Sequence, residues 1–217
     1  MSNIFEKNTL IWEKLYSSGQ SNLMYPNEML VRLFNRYKNE RHINTVLDYG
    51  FGSGANLIHF VEKGCDVHGV EVSESALQIV KTKLKDKNIT ANINIIKDGK
   101  IPYEDNFFDL VVAWQVLYYN DLESFNQTMD EISRVLKKGG LFIGTMAAIQ
   151  DYSHELSNKI GDYLYSSNVP SQKGATCIIL DKEDLPTFFP GKKLSVGEYY
   201  FNFDGVTSRH WVVVYED

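Results

Sequence analysis

A chain of 217 residues, 43% of them hydrophobic, is long enough to bury one sizeable core, and a single domain over 1–217 is expected. The formal net charge of −6, with Lys and Arg scattered rather than gathered into a stripe, argues against a nucleic-acid backbone as the main partner. No apolar run approaches the roughly 20 residues of a bilayer span, and MSNIFEKNTLIWEKLY lacks the layout of a signal peptide, so a cytoplasmic protein without membrane insertion, monomer or homodimer, is expected.

Residues 1–44 read as one or two helices with a break near SSGQSNLMYP, and are expected to form a lid. From residue 45 two periods alternate. TVLDY is a short apolar, β-branched run, and ANLIHFVEKG then spaces Leu57, Ile58 and Val61 at helical intervals before Gly64. DVHGVEV is a second strand. SESALQIVKTKLK is a helix capped by Ser73, with Leu77, Val80 and Leu84 on one face. INIIK and FFDLVVAW are strands three and four. DLESFNQTMDEISRVLK aligns Leu122, Phe125, Met129, Ile132, Val135 and Leu136 along one stripe, stopping at Gly139 and Gly140, and LFIGTMA is strand five.

Strands alternating with helices predict an α/β, doubly wound, mostly parallel sheet whose ligands bind at the carboxyl ends of its strands. Residues 45–148 would form this core, and 149–180 a substrate-side insertion. Over 181–217 a short acidic helix, DKEDLPTFF, precedes KLSVGEYYFNF and RHWVVVYED. The linker DGVTS between those two runs predicts an antiparallel C-terminal hairpin and a seven-stranded sheet. Cys65 and Cys177 form no CxxC pair and are expected to be buried free thiols.

The stretch VLDYGFGSGANL places Gly50, Gly52 and Gly54 straight after the first strand. Such a loop turns sharply and lets a ligand lie against bare backbone at a helix N-terminus. GFGSGA also satisfies the loose dinucleotide pattern, and Glu71 falls where either nucleotide cofactor would present ribose hydroxyls. Asp48 separates the two, because a carboxylate there repels a pyrophosphate and suits a ligand carrying positive charge.

LDYGFGSGANL followed by GVEVSESAL resembles the first two motifs of class I S-adenosylmethionine-dependent methyltransferases. The likeness continues through IIKDGKIPYEDNFFDLVVAWQVLYY and EISRVLKKGGLFIGTM, over about residues 45–147. It implies a Rossmann-like methyltransferase fold with S-adenosyl-L-methionine as cofactor. By position, Gly50, Phe51 and Gly52 would pack on the methionine portion with Asp48 near its amino group, and Glu71 would hold the ribose hydroxyls. Val72 would lie on the adenine, Asp98 and Gly99 at its edge, and Ala113, Trp114 and Gln115 beside the sulfonium. Tyr16 and Tyr25 resemble aromatics that close over this cofactor, while Tyr118, Tyr119 and Tyr152 are candidates for substrate binding. WEKLYSSGQSNLMYPNEMLVRLF and RHWVVVYED add a resemblance to bacterial small-molecule methyltransferases, some associated with surface-polysaccharide gene clusters.

Methyl transfer is an in-line displacement, and a general base is needed only when the acceptor holds its proton tightly, as a sugar hydroxyl does. Candidate bases are His154, a residue type suited to proton transfer, and Asp151; His210 reads as structural. No His or carboxylate cluster has metal-ligand spacing, so no metal is expected. The acceptor is expected to be a small molecule such as a sugar or other cyclic hydroxyl compound. The alternatives are a nicotinamide-dependent oxidoreductase, for which no Tyr-x-x-x-Lys pair is evident, and a non-catalytic cofactor-binding domain.

Overall fold

The computed structural model describes residues 3–97 and 99–217. Helices α1 (Asn3–Ser17) and α2 (Glu28–Glu40) come first. The chain then alternates β1 (Thr45–Tyr49), α3 (Ala55–Glu62), β2 (Asp66–Glu71), α4 (Glu74–Lys87), β3 (Asn92–Ile95), β4 (Phe108–Ala113), α5 (Leu122–Val135) and β5 (Leu136–Ala148). Helix starts follow their side-chain caps. The Asn27 carboxamide oxygen accepts from the Met29 and Leu30 N–H groups, Ser73 Oγ from Ala76 N–H, and Asp121 from Ser124 N–H.

Strands β3-β2-β1-β4-β5 lie side by side in that order and run parallel. Chain direction across the sheet reverses between β1 and β4, the switch point at which such sheets open a crevice at their carboxyl ends. Alternate residues divide the core into two. Leu47, Val111 and Phe142 pack with Phe125 and Ile132 of α5, while Val46, Val112 and Ile143 pack with Leu30 and Phe34 of α2 and Leu57 and Phe60 of α3. Each large side chain so buried contributes about 1.5–3 kcal/mol.

Three departures from the expected layout matter for the site. The 149–180 segment adds α6 (Tyr152–Glu155) and three strands, β6 (Ser157–Lys159), β7 (Leu164–Ser167) and β8 (Thr176–Leu180), so the sheet has ten strands rather than seven. β4 ends opposite Gly144 of β5, and Ala147 and Ala148 run past it to pair with Ile179 and Leu180 of β8, which carries the insertion over the carboxyl edge. Helix α5 stops at Val135, and Gly139 and Gly140 lie within an irregular start of β5, where the register with β4 shifts.

After a 3-10 turn and α7 (Leu185–Phe188), β9 (Ser195–Phe203) and β10 (Val206–Glu216) form the expected antiparallel hairpin. Its turn is only Asp204-Gly205, both with positive φ, the conformation that matches the twist of a tight hairpin. β10 runs antiparallel to β5, with His210 opposite Ala147 and Glu216 opposite Leu141. Cys65 and Cys177 are buried free thiols. No described helix is long and apolar enough to cross a membrane.

Candidate functional site

The glycine loop leaves β1 at the switch point. Gly50 and Gly52 have φ of +72° and +53°, a region L side chains rarely adopt. A Cβ at Gly50 would stand 2.5 Å from Val116 Cγ2, and one at Gly52 would stand 2.5 Å from Tyr16 Oη. The loop therefore needs bare backbone for its turn and for the close approach of α1.

Two carboxylates lie near the carboxyl ends of β1 and β2, Asp48 one residue before the end of β1 and Glu71 last in β2. Glu71 accepts the Gly52 N–H on one oxygen at 2.9 Å, and the Val72 and Ser73 N–H groups on the other at 2.7 and 3.2 Å. Asp48 is 1% exposed and its Oδ2 has no hydrogen-bond partner. Burial, followed by the charge of Glu71, pushes Asp48 up to about 7. Burial also raises Glu71, against the pull of its three N–H donors. A buried acid with one unpartnered oxygen beside a second acid is expensive alone and suits a ligand that brings a cation.

Two cavities open beside the loop. The smaller, about 80 Å³, is lined by Glu71, Val72, Val116 and Asn120, with Phe5 and Asn8 of α1. The larger, about 580 Å³, has Phe51, Trp114, Tyr118, Asp151, Tyr152 and His210 in its wall. Trp12, Tyr16, Gly50, Gln115 and Tyr119 line both. Neither lining includes a Lys or Arg among the described residues. Burial, then Glu71, raises the Tyr16 phenol far above ordinary tyrosine, so it stays neutral. Gln115 adopts φ +56°, rare for a residue with a side chain, and its N–H donates to Thr145 Oγ1 at 2.7 Å.

Most residues singled out in the sequence meet here. Gly50, Phe51, Gly52, Glu71, Val72, Trp114, Gln115, Tyr16, Tyr118, Tyr119 and Tyr152 line one or both cavities. Tyr25 is 84% exposed at the rim of the larger one. Asp48 and Ala113 are buried at the ends of β1 and β4 without lining either. Gly99 lies instead in a separate cavity with Phe5 and Lys100, and Asp98 lies outside the described residues.

His154 lines neither cavity. The four-residue α6 puts Tyr152 and Ser153 in the wall of the larger one, while His154 packs edge-on to Tyr165 of β7 and its Nδ1 accepts the Gln150 N–H at 3.4 Å. The histidine in the wall is His210. The sequence carried a signal for it: an antiparallel strand beside β5 begins where β5 ends, so its first residues must lie at the carboxyl face. Trp12, Asn8 and Gln172 also line the cavities, and polar or aromatic residues on an amphipathic helix or a short turn carry no mark of that role. Among the described residues no group of three His, Cys, Asp or Glu could hold a metal ion.

Residues 47–144 match the family described as Methyltransferase domain. The ubiquinone/menaquinone biosynthesis C-methyltransferase UbiE of Shewanella sp. (strain ANA-3) is 30% identical over 135 residues, 59% of this chain and 51% of that protein. UbiE of Shewanella frigidimarina is 31% identical over 136 residues. The chain thus spans about half the length of the curated relatives it matches. Among solved structures, the 1,6-didemethyltoxoflavin-N1-methyltransferase of Burkholderia thailandensis, with 1,6-didemethyltoxoflavin and S-adenosylhomocysteine bound, superposes with a TM-score of 0.75 at 13% identity, over 100% of this chain and 91% of that one. A S-adenosylmethionine-dependent methyltransferase from Clostridium acetobutylicum gives a TM-score of 0.70 at 15% identity, over 99% of both chains.

Proposed function

We propose that this chain is a class I S-adenosylmethionine-dependent methyltransferase, a reading supported by its likeness to the methyltransferase domain and to the UbiE relatives, and that it transfers the methyl group of S-adenosylmethionine to a small, uncharged, cyclic acceptor. The observation that carries the reading is Asp48, a buried carboxylate with an unpartnered oxygen beside the glycine loop and Glu71. An amino-acid ammonium bound beside the loop would be drawn to that oxygen, directly or through water, and the ribose hydroxyls can share Glu71, whose Oε2 keeps a lone pair beyond its single backbone donor while Oε1 is taken by two. Val72 and Val116 offer apolar contact to a base in the smaller cavity. A dinucleotide would bring a pyrophosphate to two carboxylates, with no Lys or Arg in either lining to meet it.

Once bound, S-adenosylmethionine supplies an electrophilic methyl: the acceptor's electron pair forms the new bond as the carbon–sulfur pair returns to sulfur. The protein's own part is to align the acceptor and exclude water. Trp12 stands edge-on to Tyr119 at 4.7 Å, and Tyr118 lies against Tyr119 at 4.4 Å, so aromatic faces flank the passage from the smaller to the larger cavity. The larger cavity has the size of an ordinary small-molecule site. Without a cationic side chain it disfavours phosphates and carboxylates, and its tyrosines suit a sugar or another ring bearing hydroxyl or N–H groups.

The test is transfer of a labelled methyl group from S-adenosylmethionine to a panel of cyclic hydroxyl and N–H compounds, each paired with a carboxylated analogue. Turnover is expected among the neutral members, and turnover confined to the anionic ones contradicts the reading.

A further inference from the structure

In the wall of the larger cavity three buried side chains from separate parts of the chain converge. Tyr118 follows β4, Asp151 caps α6, and His210 sits in β10. Tyr118 Oη lies 3.0 Å from His210 Nε2. On the far side of the ring, Asp151 Oδ2 lies 3.9 Å from His210 Nδ1, and that nitrogen is buried with no hydrogen-bond partner.

The carboxylate selects the tautomer. A hydrogen on Nε2 would turn the Nδ1 lone pair toward Asp151, whereas a hydrogen on Nδ1 points at the carboxylate and leaves Nε2 to accept from the Tyr118 hydroxyl. Asp151 is fixed in place. Its Oδ1 accepts from Ser153 N–H and Ser153 Oγ, and its Oδ2 accepts the Arg209 N–H at 2.7 Å. The Arg209 side chain turns away to Glu198 and Gln150. Capping of α6 accounts for Oδ1. It does not account for a buried histidine with an orphaned nitrogen beside Oδ2 and a tyrosine on its other nitrogen, all lining a cavity.

We propose that Tyr118, His210 and Asp151 form a proton relay that receives the proton of an acceptor hydroxyl or ring N–H, which makes the acceptor a weakly acidic compound. The inference rests on the function proposed above and specifies its acceptor class. The acceptor's proton passes to Tyr118 Oη as the Tyr118 hydroxyl proton passes to His210 Nε2. One O–H or N–H bond of the acceptor is lost, one N–H bond is gained on His210, no electrons leave the system, and the imidazolium comes to rest beside Asp151. Burial holds the Tyr118 phenol well above ordinary tyrosine, so it passes the proton on without lingering as a phenolate. Burial also lowers His210, with Asp151 acting in the opposite sense, so the resting imidazole is neutral. The groups facing it are Asp151, Tyr118 and, from β9, Tyr199 with ring centroids 6.4 Å apart.

The test uses the full chain and two phenols, 4-nitrophenol, which ionises near neutral pH, and 4-ethylphenol, which does not. Tyr118→Phe keeps the shape of the wall, and His210→Gln removes the proton acceptor. Methylation of 4-ethylphenol should fall by roughly 100-fold or more in both variants and that of 4-nitrophenol by less than about tenfold, because only the first needs a base. Independently of turnover, the visible absorption of 4-nitrophenol bound to the S-adenosylhomocysteine complex should show ionisation at lower pH in the wild type than in either variant. Equal losses on both phenols, an unchanged titration of the bound probe, or a wild type that binds S-adenosylhomocysteine but methylates neither phenol overturns the relay alone. A wild type that does not bind S-adenosylhomocysteine overturns the relay together with the cofactor reading.

Discussion

Glu71, the last residue of β2, accepts the backbone N–H of Gly52 at 2.9 Å, so one of the site's two acids fixes the loop that follows the other. Fixing the loop and holding a ribose are compatible tasks for one carboxylate, since the loop takes a single lone pair of Oε2. Glu71→Ala removes both. The substitution should weaken S-adenosylhomocysteine binding by roughly 1.5–3 kcal/mol, the range for hydrogen bonds to a charged group. Calorimetric titration of wild type and variant checks this, and unchanged affinity would mean that the acid has no ligand role.

Asp48 gives a pH dependence with a definite sign. Its value is pushed up to about 7 by burial and then by Glu71, whereas an unfolded aspartate titrates near 3.9. Between about pH 4 and 7 the native state therefore holds a proton that the unfolded chain has released, and stability falls as pH rises through that window. Asp48→Asn has no charge to bury and should flatten that slope, leaving the contribution of Glu71, which has the same sign. Urea denaturation of both proteins at about pH 5 and about pH 8 measures it.

At Gly52 the backbone and the neighbour contribute separately. Gly52→Ala meets both φ +53° and the Tyr16 hydroxyl, while Gly52→Ala in a Tyr16→Ala background meets the backbone alone. The single variant should lose more than the about 1–2 kcal/mol expected of a left-handed residue with a Cβ, and the double-mutant cycle should return the excess. A zero interaction energy would place the Tyr16 hydroxyl away from the loop in solution.

We propose that α1 and the segment joining it to α2 close over bound cofactor. Trp12 and Tyr16 line both cavities, and Leu23 and Tyr25 stand exposed at the rim of the larger. Amide hydrogen exchange should show added protection over residues 16–26 when S-adenosylhomocysteine is present. Protection confined to the 195–214 hairpin would remove the lid from the account.

The alternating core was legible because its strands are apolar runs and its helices carry clear stripes and caps. β1, β2 and β4 fall within a residue of their expected bounds. That the glycine loop, Asp48 and Glu71 lie close together was legible because the loop follows one strand and the acids stand near the ends of two neighbouring strands. β6 and β7 were not, since SNK and LYSS are short and polar and gain their strand form by pairing with each other and with β8. TCIIL carried a readable apolar signal, yet its place over the end of β4 depends on β5 outrunning that strand. For His210 the sequence signals only that the start of an antiparallel strand beside β5 lies at the carboxyl face; the register against Ala147 brings this residue to the cavity.

The central claim is that Asp48, the glycine loop and Glu71 form a site for S-adenosylmethionine. Its most direct test is calorimetric titration of the whole chain with S-adenosylhomocysteine and, separately, with NAD, repeated with Asp48→Asn. S-adenosylhomocysteine should bind, Asp48→Asn should weaken it, wild-type affinity should rise with pH until Asp48 is ionised near about 7, and NAD should give no heat. Binding of NAD with none of S-adenosylhomocysteine, or S-adenosylhomocysteine affinity indifferent to both Asp48 and pH, would contradict the claim.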